Sequence, residues 1–152
     1  MTITEQKAAQ RKAGIAARRA LSDTQRTHSN AALCARIMAL DCFKKAENIL
    51  LYAAFGGEAD LSALAVEAAR QGKTLAYPVC GEGFSLTAAV PGPDGWEVGA
   101  YGIRTPILSR SEIIRPDQLD LVLVPCTAFD TACRRVGMRS AASVLVAKSK
   151  KA

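Results

Sequence analysis

Residues 48–79 read NILLYAAFGGEADLSALAVEAARQGKTLAYPV. The first eight, 48–55, form a short apolar run of strand length, and Gly56 and Gly57 end it. Asp60 is placed to cap a helix over residues 61–71, and Gly72 is placed to stop that helix. KTLAYPV at 73–79 reads as a second strand. Strand, helix and strand within about 30 residues make a βαβ unit, and its crossover predicts parallel strands. The fold class is therefore α/β.

Working outward, residues 4–20 predict a helix rich in Ala, Lys and Arg, with Gly14 as its weak point. SDTQ at 22–25 is a capping box, Ser22 capping and Gln25 reaching back. The helix that follows places Leu33, Ile37 and Leu40 on one face. Downstream, FSLTAAV (84–90) reads as a strand, PGPDG (91–95) as a turn and residues 96–116 as irregular. LDLVLVP (119–125) is apolar on both faces, which predicts a central strand. SAASVLVA (141–147 and its preceding serine) fits a helix and a strand equally.

At 152 residues the chain is long enough for one domain with a core, and 49% apolar with 22% charged side chains fits a globular protein. No run approaches the roughly 20 apolar residues of a membrane span, and the N-terminus has no secretory apolar stretch. Cys34, Cys42, Cys80, Cys126 and Cys133 form no C-x-x-C pair, and the single histidine, His28, is distant from them in sequence, so zinc is not expected. An odd cysteine count predicts reduced thiols, mostly buried as small hydrophobes, in the cytoplasm. The net charge of +6 is carried by residues 134–152, which hold six basic side chains and no acid. The rest of the chain is balanced, which argues against a folded nucleic-acid binder, and no aromatic residue interleaves with the basic tail.

Ligands in open α/β sheets bind beyond the carboxyl ends of the strands, which singles out AAFGGEAD, PVCGEG and VPCTAFDTACRRVG. Glu58 fits a carboxylate that grips an amine-bearing ring, but its spacing favours a carboxylate near a helix dipole. Asp130 fits a loop-orienting or metal-water-holding residue, and equally a turn-former. Arg134, Arg135 and Gly137 fit a phosphate clamp or a solvated basic loop. Lys7 and Arg11, four apart on a helix, fit an anion clamp or an ordinary wet face. From the residues alone, the chain is an α/β domain with an anion site and no assigned reaction.

Five stretches in order resemble the 5-formyltetrahydrofolate cyclo-ligase (5,10-methenyltetrahydrofolate synthetase) family, from about residue 5 to 137. KAAQRKAGIAARRALS resembles its opening K-x-x-L-R and following basic run, with Gln10 for the usual Leu. LLYAAFGGEADLSAL, GKTLAYPV, YGIRTP (where the family often has E-P) and DLVLVPCTAFD resemble the later pieces. The resemblance implies a three-layer Rossmann-like open sheet with mainly parallel strands and flanking helices, incomplete at the C-terminus. It also implies a cytoplasmic, monomeric ligase of one-carbon metabolism that uses ATP and Mg2+ on a reduced folate, with neither nucleic acid nor membrane as partner. The formyl oxygen of 5-formyltetrahydrofolate would be phosphorylated, a second folate nitrogen would attack, and phosphate would leave as the 5,10-methenyl ring closes.

By the same resemblance, Lys7, Arg11, Arg135, Val136 and Gly137 are ATP contacts, and Ala53, Glu58 and Tyr101 are substrate contacts. No metal ligand is identifiable. The family continues R-L-G, after one variable residue, with G-x-G-Y-Y-D-R, whose glycines admit phosphates to the backbone. Here RRVGM is followed by RSAASVLVAKSKKA, and Cys133 replaces the usual Gly before the arginines. The expectation is a family domain over 1–137 and a basic non-family tail over 138–152, produced by a shifted reading frame or by truncation. Two functions follow: the family's ATP-dependent cyclisation, or a non-catalytic folate-binding remnant of it.

Overall fold

The structure, a computed structural model, describes residues 1–137; the 138–152 tail, with its undecided segment, lies outside them. The helices begin where local chemistry places them. Helix α1 (Ile3–Arg19) is opened by a Thr2–Glu5 capping box, and α2 (Asp23–Ala39) by the predicted Ser22–Gln25 box. A short α3 (Asp41–Lys45) leads into β1 (Asn48–Leu50). Helix α4 (Ser62–Arg70) connects β1 to β2 (Thr74–Cys80). Asp60 accepts from the Ser62 N–H at 2.9 Å, and Gly72 ends the helix at φ +76°. Strands β1 and β2 pair in parallel, Asn48 opposite Thr74, as the βαβ reading requires.

The chain then turns through β3 (Leu86–Pro91), a hairpin of β4 (Trp96–Val98) and β5 (Arg104–Pro106), and β6 (Ser111–Ile114). Last come β7 (Leu121–Val122) and a second hairpin, β8 (Ala128–Phe129) with β9 (Arg135–Val136). The main sheet runs β6-β3-β2-β1-β7. Only β3 is reversed, since it pairs antiparallel with both β2 and β6, while β2, β1 and β7 pair in parallel. Four of the five strands thus share one direction.

The sheet's register sorts its side chains by face. Ile49, Leu51, Leu75, Tyr77, Leu121 and Leu123 pack with Cys34, Phe43, Leu61 and Leu64 from the α2–α4 side. Leu50, Ala76, Ala88 and Ile114 gather on the other face with Leu119. Burying a residue such as Phe43 or Leu64 completely stabilises the fold by about 1.5–3 kcal/mol.

Four expectations change. β7 is not central: among the described residues it pairs only with β1, fastened by Asp120, whose carboxylate accepts from the N–H groups of Glu47 and Asn48 at 3.0 and 2.9 Å. Residues 96–116 are not irregular but hold three short strands. Trp96 sets its ring edge-on to Tyr77 at 4.7 Å, with the Arg104 guanidinium 4.6 Å from its own face. Nor are the thiols mostly buried: only Cys34 is, while Cys42, Cys80 and Cys133 are exposed. On α2 the predicted face turns in Ile37, while Leu33 and Leu40 stay exposed.

Candidate functional site

Lys7, Arg11, Gly14 and Arg18 are spaced by four, three and four residues, so they form one stripe along α1. No residue of α1 is buried, so the helix is not held by an apolar face. It is held by a close approach. A Cβ at Gly14 would overlap the carbonyl oxygen of Thr127, at the foot of the β8–β9 hairpin. One turn before it, Arg11 Nε donates to the Gly137 carbonyl at 2.7 Å. The two ends of the described chain meet there, and the meeting joins residues expected to share a ligand. Between α1 and the hairpin lies an open groove of about 670 Å³, lined by Lys7, Gln10, Gly14, Asp130, Arg135 and Val136 among others.

The hairpin is built by hydrogen bonds rather than by packing. Thr127 N–H and Oγ1 both donate to the Val136 carbonyl, at 2.8 and 2.7 Å. Arg135 Nη1 donates to the Pro125 carbonyl at 3.3 Å. Asp130 is the turn-former: its Oδ1 accepts from the N–H groups of Ala132 and Arg134, and its Oδ2 accepts from Arg134 Nε at 2.8 Å. Arg134 and Arg135 both line the groove, Arg134 paired with Asp130. Losing Arg11's charged hydrogen bond, worth about 1.5–3 kcal/mol in general, is expected to loosen this hairpin first. Arg11→Ala should speed hydrogen exchange at the Thr127 and Asp130 amides while leaving those of β1 and β2 unchanged.

Cys133 sits in the left-handed region at φ +60°. That conformation costs a non-glycine residue roughly 1–2 kcal/mol, and it is where glycine was expected and is missing. Cys133→Gly should raise the unfolding free energy, by about 1 kcal/mol after glycine's extra chain entropy is set against the relieved strain. Urea denaturation reads this directly, and a lowered midpoint would reject it.

The second half of the site is the loop after β1. Gly56 and Gly57 adopt φ +60° and +82°, which brings Glu58 back over Phe55. The backbones bond at 3.1 Å, and the Phe55 N–H also donates to Glu58 Oε2 at 3.1 Å. Tyr52 Oη donates to the Ala59 carbonyl at 2.9 Å and pins the far side. Ala53 lies within this loop, half-buried like Glu58. Burial holds the Glu58 carboxyl above its ordinary value, opposed by the Phe55 hydrogen bond and by the charge of Arg18. Burial likewise pushes the Tyr52 hydroxyl up to about 12, with Glu58 adding to the rise. The loop therefore presents a sheltered carboxylate with free lone pairs.

Tyr101 is at the β4–β5 turn, exposed and at φ +59°. Among the described residues it makes no hydrogen bond or ring contact. A bulky residue in that conformation marks stored strain, which concentrates at ligand clamps. The structure thus brings Lys7, Arg135 and Val136 to one groove, bonds Arg11 to Gly137 outside its lining, places Ala53 and Glu58 in one loop, and sets Tyr101 on a separate hairpin. Among the described residues no cluster of three or more His, Cys, Asp or Glu could hold a metal ion. No helix there is long and apolar enough to cross a membrane.

The sequence matches the 5-formyltetrahydrofolate cyclo-ligase family over residues 3–139. The chain belongs to that family. The NMR structure of 5,10-methenyltetrahydrofolate synthetase from Aquifex aeolicus is similar at 31% identity and a TM-score of 0.76, over 88% of this chain and 68% of that one. A 5,10-methenyltetrahydrofolate synthetase from Mycoplasma pneumoniae shares the fold at 18% identity and a TM-score of 0.69, over 88% of this chain and 71% of that one. A search of curated proteins found no match. Two residues escaped the sequence reading: Gly14, seen as a flaw in a helix, and Arg18, hidden in an Arg-Arg pair. The 7-11-14-18 spacing was the signal available for both.

Proposed function

We propose that this chain closes 5-formyltetrahydrofolate to 5,10-methenyltetrahydrofolate at the expense of ATP, with magnesium. The observation that carries the reading is the Arg11–Gly137 bond, which draws α1 against the β8–β9 hairpin and brings Lys7, Arg134 and Arg135 to one groove. Such a groove fits the phosphates of a nucleotide. Lys7 and Arg135 supply charge there beside Val136, and Arg11 and Gly137, bonded to each other next to the groove, would meet the nucleotide at its edge. Magnesium would be held chiefly by those phosphates, as is usual for this ion. The acid lining the groove, Asp130, is taken by Arg134.

ATP supplies the phosphoryl group that turns the formyl oxygen into a good leaving group. The protein's part is positioning. Glu58 accepts from the amine-bearing edge of the pterin, Ala53 lets the ring approach the loop backbone, and Tyr101 lies against the folate. Fixing the folate this way favours ring closure, because the attacking nitrogen and the formyl carbon already belong to one molecule.

A second reading, folate binding without turnover, is favoured by one fact: residues 138–152 contain no glycine where a phosphate-cradling loop is expected. Calorimetry separates the two. The cyclising reading expects 5-formyltetrahydrofolate to bind more tightly once ATP and Mg2+ are present. It also expects Lys7→Ala to weaken ATP binding about tenfold, the loss of one charged contact. Folate binding indifferent to ATP supports the second reading.

A further inference from the structure

The groove between α1 and the β8–β9 hairpin holds more than cations. Lys7, Gln10, Gly14 and Ala17 are three, four and three residues apart, so one face of α1 lines it, with Gln10 in the middle of that face. On the facing wall, Phe129 stands directly opposite Arg135 in the hairpin register, and both line the groove. Opposite residues of an antiparallel pair project from the same face, so an aromatic ring and a guanidinium stand side by side there. Phe129 is 80% exposed and makes no ring contact among the described residues. Gln10 is exposed too, and its amide has no hydrogen-bond partner among the described residues. The amide one turn earlier, Gln6, instead donates to the Met1 carbonyl at 3.4 Å. Packing explains neither Phe129 nor Gln10: one cavity holds a bare aromatic ring and an amide with both of its bonds still to make.

A nucleobase supplies what both residues lack. Its flat ring stacks on an aromatic face, a contact that every base can make. Its edge meets the amide, and there the bases differ. A glutamine offers one acceptor beside one donor, which matches the adenine 6-amino group and N7. Guanine presents two acceptors on that edge, O6 and N7, so one of the two bonds is lost. We propose that Gln10 is a specificity-determining residue that reads the base as adenine, its Oε1 accepting from the 6-amino group and its Nε2 donating to N7, while Phe129 stacks on the ring. This rests on the nucleotide reading above and adds base selectivity to it. Lys7 and Arg135 line the same cavity, so phosphates and base share about 670 Å³, a volume suited to one small-molecule ligand. Gln10 is also where the chain departs from the usual Leu of the family pattern, so the contact is particular to this chain.

The test is calorimetry on the full chain with ATP and GTP, each with Mg2+, for wild type, Gln10→Leu and Phe129→Ala. Both side chains are exposed, so neither substitution empties the core. Wild type should bind ATP more tightly than GTP. Gln10→Leu should weaken ATP binding by roughly 10- to 100-fold, the loss of one bidentate base contact, and GTP binding far less. Phe129→Ala should weaken both by a similar factor, roughly 10-fold, because stacking does not distinguish bases. A merely structural Gln10 would move both nucleotides equally, and that result overturns the proposal. Unchanged ATP affinity in either variant also overturns it. Wild type binding ATP and GTP alike overturns the base selectivity while the nucleotide reading stands. A folded wild-type chain that binds neither nucleotide overturns that reading, and with it this inference.

Discussion

Gly14→Ala lowers the stability of the chain and weakens nucleotide binding, although alanine is the better helix former. In an exposed helix the substitution would stabilise by about 1 kcal/mol. Here the new Cβ meets a backbone carbonyl, that of Thr127, which cannot rotate away as a flexible side chain could. The helix must lift from the hairpin, and overpacking of this kind costs about 1–3 kcal/mol. The clash therefore outweighs propensity. The functional loss is larger than the stability loss suggests, because α1 carries Lys7 and Arg11 as one rigid element. Lifting it lengthens the 2.7 Å bond from Arg11 to Gly137 and opens the groove from one side. ATP affinity should fall at least about tenfold, the equivalent of one charged contact. Gly14→Val should do more of both. Urea unfolding and calorimetry measure the two effects, and a Gly14→Ala chain more stable than wild type would show that the close approach does not exist.

Glu58→Gln has the opposite signature: folate binding collapses while stability rises. The amide keeps the shape but offers one acceptor oxygen, and that oxygen must serve both the Phe55 N–H and the ligand. A folate held by two charge-assisted bonds should lose roughly 100-fold in affinity. Stability moves the other way because burial raises the Glu58 carboxyl above 4.5. For an acid whose folded value is raised, the unfolded chain ionises first as pH climbs. Its contribution is complete below about 4.5 and is lost as pH rises through the higher folded value. Wild type should therefore show a small decline in stability above pH 4.5 that Glu58→Gln lacks. Chemical denaturation across that window, paired with folate titration, checks both halves. A Gln variant that loses stability near neutral pH would mean that the carboxylate is structural rather than poised for a ligand.

These two positions show what a linear sequence conveys and what it withholds. Signals carried by neighbours were readable: the Ser22–Gln25 box, the stop at Gly72 and the parallel β1–β2 pair all depend on residues close in the chain. Glu58 was singled out by its place after Gly56 and Gly57, but spacing favoured a helix-dipole carboxylate and only the family likeness gave it a substrate role. The β4–β5 hairpin was missed because its strands are three residues long, too short for alternation to show. β7 seemed central because it is apolar on both faces, yet hydropathy does not count neighbours in a sheet. The meaning of Gly14 depends on Thr127, far along the chain, so no local rule distinguishes it from a weak point. Val136 and Gly137 carry little signal of their own. Family likeness pointed to them, and the hydrogen bonds to Thr127 and Arg11 then gave them a physical setting. Arg18 looked like any wet-face arginine, yet its Nε is buried without a hydrogen-bond partner.

The measurement that bears most directly on the account is turnover by the purified, folded, full-length chain. 5-Formyltetrahydrofolate, ATP and Mg2+ are supplied together and then each withheld in turn, and 5,10-methenyltetrahydrofolate is quantified. The account predicts product only when all three are present, with phosphate released in equal amount. A chain that binds 5-formyltetrahydrofolate yet forms no methenyl product with ATP and Mg2+ present would contradict the cyclising reading and leave a folate-binding relative of the enzyme.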